Sequence, residues 1–161
     1  MPPLTLELEG DTHIIVTRSF AAPPELVYRA HLDADLLQQW MLGPPGWTMP
    51  VCVHDPTPGG AFRYEWANDE GETFTVTGEF LELEPHSRIL HRERMHVPDP
   101  TPDNVVETRF EAQDGGTLMT QRMTLPDAET RQVMLDQGME EGMEGSYARL
   151  DPLFAEGGAS V

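Results

Sequence analysis

At 161 residues and 18.0 kDa the chain can bury one core and is too short for a multidomain machine, and 39% hydrophobic with 24% charged residues is the balance of a folded protein. Its 10 basic residues face 28 acidic ones, and the formal charge of −18 repels phosphate backbones and anionic lipid surfaces, so no nucleic-acid partner is expected. All the basic residues are arginine, which excludes lysine Schiff-base chemistry and a Walker-type phosphate loop, and a lone cysteine, Cys52, excludes an internal disulfide or a CxxC motif.

The opening MPPLTLELEGD has neither a basic start nor an apolar stretch, so no secretory signal or membrane span is expected and the cytoplasm is the default location. After a short alternation over Leu4 to Leu8, His13 to Phe20 is rich in β-branched residues and reads as a strand. Pro23 and Pro24 suit the first turn of a helix, Glu25 suits the positive end of its dipole, and Leu26, Val27, Ala30 and His31 recur at helical spacing. A second short helix is expected from Asp33 as cap through Leu36, Leu37 and Trp40, ended by Gly43-Pro44-Pro45-Gly46.

From Trp47 the pattern turns to β-rich runs punctuated by Gly, Pro, Asn and Asp: Thr48–Asp55, Ala61–Ala67, Thr73–Glu84, Arg88–His96, Val105–Ala112 and Thr117–Leu125. The proline-rich stretch from Val97 to Asp103 is expected to be a solvated, extended loop. Helical period returns after Pro126 with Leu135, Met139, Met143, Tyr147, Leu150 and Phe154, and Asp127 to Phe154 would span roughly 42 Å if continuous. The expectation is an α+β fold: a curved antiparallel sheet of about seven strands, two short helices after the first, and a long C-terminal helix over the concave face. No linker or repeat is visible, so a single domain over residues 1–161 is expected, its core at about 13–156.

Five segments in this order resemble one family: RSFAAPPELVYRAHLDADLLQQW; HDPTPGGAFRYEW, with Asp55, Gly59, Gly60 and Arg63 at the family spacing; GEFLELEPHSRIL; GGTLMTQRM; and MEEGMEGSYARLDPLF. The chain resembles the SRPBCC (START-like, helix-grip) superfamily, in the branch named for the activator of the heat-shock protein 90 ATPase. The superfamily includes lipid carriers, hormone receptors and cyclases. The resemblance therefore implies a small apolar or amphipathic ligand held between sheet and C-terminal helix, with a cyclase or hydro-lyase, or a chaperone adaptor, as the alternatives. Eukaryotic co-chaperones of this name carry an additional N-terminal domain that makes much of the chaperone contact, and 161 residues leave no room for it, which counts against a chaperone partner. Where the family alternates leucine with aromatic residues near the end of one strand, this sequence has Ile89, His91 and Glu93.

Alternation places Val106, Thr108 and Phe110 inward, with Glu107 and Arg109 outward, and Met119, Gln121 and Met123 inward. For the strand 88–96, facing Leu90, Arg92, Arg94 and His96 inward would bury two arginines. His91 and Glu93 are then the inward polar candidates, unless the strand lies at an exposed edge, and an imidazole beside a carboxylate can anchor a ligand or act as an acid–base pair. Trp40, Phe74, Val76, Met139, Gly142 and Met143 complete the candidate lining. The glycines Gly138, Gly142 and Gly145 read as a helix stripe that either packs closely on the sheet or leaves room for a cavity. No HxH, HExxH or GxSxG pattern occurs, so neither metal nor cofactor is expected, and Cys52, between Val51 and Val53, reads as packing. A homodimer is left open.

Overall fold

The computed structural model describes residues 1–96 and 101–155. Alternating apolar and polar residues build β1 (Thr5–Glu9) and β2 (His13–Phe20), after which the helices α1 (Pro24–Ala30) and α2 (Ala34–Trp40) lead to β3 (Trp47–His54). A meander follows through β4 (Ala61–Asn68), β5 (Thr73–Glu84), β6 (Arg88–His96), β7 (Asn104–Gln113) and β8 (Gly116–Thr124), and the chain ends in α3 (Ala128–Asp136) and α4 (Met139–Ala155). All strands form one antiparallel sheet in the order β1-β2-β8-β7-β6-β5-β4-β3, so α1 and α2 carry the chain from one end of the sheet to its far edge. This is the α+β helix-grip architecture.

Two expectations need correction. The alternation over Leu4 to Leu8 is itself a strand: Leu6 lies opposite Val16 and Leu8 opposite Ile14, which makes β1 an edge strand and the sheet eight-stranded. The C-terminal helix is not continuous either. Gly138 sits at φ 76°, in the left-handed region where a helix cannot continue, and the amides of Gln137 and Gly138 close the last turn of α3 on Met134 and Leu135. Of the extended loop expected over 97–103, residues 97–100 lie outside the described residues.

Side-chain caps fix where helices begin. Asp33 Oδ1 accepts from the amides of Asp35 and Leu36 at 2.9 and 3.3 Å, and Asp127 Oδ1 accepts from Thr130 N at 2.7 Å. Against the inner face of the sheet lie Val27, Ala30, Leu37 and Trp40 from the first two helices and Tyr147 and Leu150 from α4. They meet Ile14, Val16, Phe20, Phe62, Phe80, Val106, Phe110 and Met119, each large side chain contributing about 1.5–3 kcal/mol by leaving water. Trp40 keeps its indole N–H satisfied on Ala30 O at 2.9 Å.

One arginine belongs to this inner face. Arg18 follows Ile14 and Val16 in the β2 alternation, and its buried guanidinium grips Glu144 at 2.9 and 3.1 Å and Asp151 at 2.9 and 3.0 Å, both on α4. Glu144 also accepts from Leu4 N at 2.8 Å. The ion pair thus ties the closing helix to β2 and to the strand beside it.

Candidate ligand site on the concave face

Because β6 is paired on both sides, its facing is fixed: Ile89 lies opposite Thr108, and His91 lies opposite Phe80 on one neighbour and Val106 on the other. Ile89, His91 and Glu93 therefore face the core, while Arg92 and Arg94 on the outer face pair with Glu79 and Asp103. His91 Nε2 and Glu93 Oε1 are 2.5 Å apart, with side chains 15% and 23% exposed. The ring of Phe62 stands edge-on to His91 at 5.5 Å. Gly78, opposite Glu93, makes room for that ring, since a Cβ there would lie 2.5 Å from Phe62 Cζ.

A second histidine enters from the helical side. His31 follows α1, and its Nδ1 lies 2.8 Å from Val27 O, so Nδ1 carries the proton and donates it to the carbonyl. Nε2 is then a lone-pair acceptor, and it is enclosed without a partner among the described residues. The ring is caged by Trp40 at 4.9 Å, Phe110 at 5.0 Å and Tyr147 at 6.3 Å. Burial lowers its pKa to about 4, and the nearby His91 pushes the same way, so the ring is neutral at neutral pH. Burial also raises the phenols of Tyr147 and Tyr64 well above the ordinary tyrosine range.

Two further buried atoms, on β7 and β8, have no partner among the described residues. Gln121 donates from Nε2 to Thr108 Oγ1 at 3.5 Å, leaving Oε1 enclosed, and Asn104, opposite Glu93, is 2% exposed with Oδ1 unpaired. Among the described residues no group of three or more His, Cys, Asp or Glu side chains could hold a metal ion.

The other residues singled out from sequence divide by depth. Trp40, Val76, Val106, Phe110, Met119 and Met123 are buried core, whereas Phe74, Met139 and Met143 are half-buried around it, Phe74 with its ring 5.7 Å from Trp66. Gly142 does not face the sheet: an added Cβ would meet Pro44 Cδ at 3.9 Å, in the loop after α2. Two concavities lie away from these residues, one of about 450 Å³ between α1 and the β5–β6 turn at His86, the other of about 300 Å³ beside the β7–β8 turn.

Sequence reasoning missed His31, Asn104 and Arg18 as interior polar groups. The signals were present: His31 shares a helical stripe with Val27, Asn104 stands two residues before Val106, and Arg18 alternates with Val16 and Phe20.

Comparison with known proteins adds the following. The family model described as activator of Hsp90 ATPase homolog 1-like protein matches residues 21–155. A crystal structure of a protein from Rhodobacter sphaeroides is similar at 28% identity, over 96% of this chain and 99% of that one, with a TM-score of 0.89. Protein Ms6760 from Mycobacterium smegmatis is similar at 27% identity, over 94% of this chain and 96% of its own, with a TM-score of 0.83. A protein from Silicibacter pomeroyi named AHSA1 shares the fold at 24% identity, over 89% of this chain and 97% of that one, with a TM-score of 0.72. No curated protein matches the sequence.

Proposed function

Since the chain belongs to the family of activator of Hsp90 ATPase homolog 1-like proteins, a branch of a superfamily of ligand-holding folds, we propose that it binds a small apolar or amphipathic molecule between the sheet and α4. The observation that carries this reading is the set of enclosed, unpartnered polar atoms, His31 Nε2, Gln121 Oε1 and Asn104 Oδ1, on the face that also holds the His91–Glu93 pair. A buried polar atom left alone costs about 1–3 kcal/mol, and a guest that supplies the missing bonds would recover that cost. Trp40, Val106, Phe110 and Met119 give the apolar body of that guest its walls, and the half-buried Met139 and Met143 adapt to its shape.

Native mass spectrometry of gently purified protein tests this. We expect an adduct that is released on unfolding, and a ligand at about 100 times its dissociation constant should add about 2.7 kcal/mol of stability. His91→Leu and Glu93→Gln should weaken the adduct while the domain still melts cooperatively. Absence of any adduct, together with no thermal stabilisation by apolar compounds, would overturn the reading. The 2.5 Å His91–Glu93 contact also favours a second reading, acid–base catalysis of a cyclase or hydro-lyase type. In that case the same substitutions abolish turnover and leave binding intact.

A further inference from the structure

The interior polar groups also restrict the chemistry of the guest, if the binding reading above holds. We infer that its polar end is a hydrogen-bond donor without negative charge, a hydroxyl or an amine, received by His31 Nε2, and that carboxylates of the fatty-acid type are rejected. The tautomer of His31 is dictated by Val27 O, which accepts the Nδ1 proton at 2.8 Å, so the enclosed Nε2 can only accept. Protonation would turn it into a donor, but its apolar cage of Trp40, Phe110 and Tyr147 keeps the ring neutral.

Charge points the same way. A buried carboxylate needs a cation or several donors. The arginine of this face, Arg18, is already held by two carboxylates, Glu144 and Asp151, and the other charged group aimed inward is Glu93, which occupies His91. Arg92 and Arg94 lie on the outer face and are paired there. Tyr147 can offer one phenolic proton, which does not balance a whole negative charge. An anionic head group would therefore meet the Glu93 carboxylate, find Arg18 already shared between two carboxylates, and have only neutral donors such as the Tyr147 hydroxyl to receive it.

The test uses probes that share a ten-carbon chain: 1-decanol, decyl methyl ether, decylamine and decanoate, measured by calorimetry on the full chain. The ether removes the donor and keeps the apolar body, so it separates hydrogen bonding from hydrophobicity. Decanol should bind at least about tenfold more tightly than the ether and than decanoate, and decylamine should also exceed decanoate by about tenfold. In His31→Phe, which keeps a ring in the cage, the gap between decanol and ether should close. Should that variant not fold, the wild-type protein supplies the same answer: the His31 Nε2 nitrogen-15 resonance should move upfield on adding decanol and stay in place on adding the ether. Equal binding of decanol and ether, or decanoate binding as tightly as decanol, overturns the donor inference and leaves the ligand site standing. If none of the four binds, the ligand reading itself fails.

Discussion

Burial holds the His31 ring at a pKa of about 4, against 6.5 for an unperturbed one, so between those values the unfolded chain takes up a proton that the folded chain refuses. Its contribution is complete above pH 6.5 and is lost as pH falls towards 4, on the order of 2 kcal/mol by pH 5. Urea unfolding of wild type and His31→Phe at pH 7 and pH 5 isolates this, because acid effects elsewhere act on both proteins; the variant should lose about 2 kcal/mol less between the two pH values. Arg18 permits an independent check. Arg18→Met leaves Glu144 and Asp151, 27% and 25% exposed, facing each other without a cation. Breaking a buried pair costs about 3–5 kcal/mol, and carboxylates with that much access to water put the expected loss near the lower end. Adding Glu144→Gln and Asp151→Asn should restore part of it in denaturant titrations. At this scale the sequence was half legible. Strict alternation located His91 and Glu93, and the same alternation runs through Arg18, between Val16 and Phe20, where the facing was not read. The partners of Arg18 stand 126 and 133 residues away, and no local spacing encodes them.

At the scale of elements, periodicity identified strands and helices wherever one face is dry and the other wet. It failed where that contrast fades. β1 is an edge strand with Leu8 51% exposed, so its alternation carries little burial to mark it as part of the sheet. The helical stripe of the C-terminus continues across Gly138, and side-chain spacing cannot report the left-handed φ that divides α3 from α4. The three glycines read as one stripe do three different jobs, and alanine substitution should separate them. Gly138→Ala forces a side chain into the left-handed region and should cost about 1–2 kcal/mol. Gly142→Ala adds a methyl in ordinary contact with Pro44, 3.9 Å away, and should gain about 0.5–1 kcal/mol from helix propensity. At Gly145 the added Cβ would lie 3.0 Å from Gly43 O, so close contact offsets that gain and the net change should be small. Thermal denaturation followed by circular dichroism reads all three, and a stabilising Gly138→Ala would contradict the helix break.

Over the whole molecule, the order of elements and the α+β class were legible from composition and period, while the pairing of β2 with β8 that closes the grip joins residues about a hundred positions apart and was reachable only through the family resemblance. Charge, by contrast, is a property of the entire chain and needs no fold to read. The acid surplus of −18 is spread over the surface, since most arginines are already engaged: Arg63, Arg88, Arg92, Arg94, Arg109 and Arg122 pair with carboxylates, and Arg131 and Arg149 donate to backbone carbonyls. Salt acts on both sides of this balance. It weakens the exposed pairs, each worth at most about 1 kcal/mol, and it screens the repulsion among the uncompensated acids beyond a Debye length of about 10 Å at 0.1 M. The Arg18 cluster is buried and little affected, so the repulsive part of the field is what salt chiefly removes. Raising sodium chloride from about 20 mM to about 300 mM at neutral pH should therefore raise the melting temperature, by about 2–4 °C for each kcal/mol of repulsion relieved. A melting temperature that falls with salt would mean that the exposed pairs outweigh the surplus charge, and that the acid excess is not a burden on this fold.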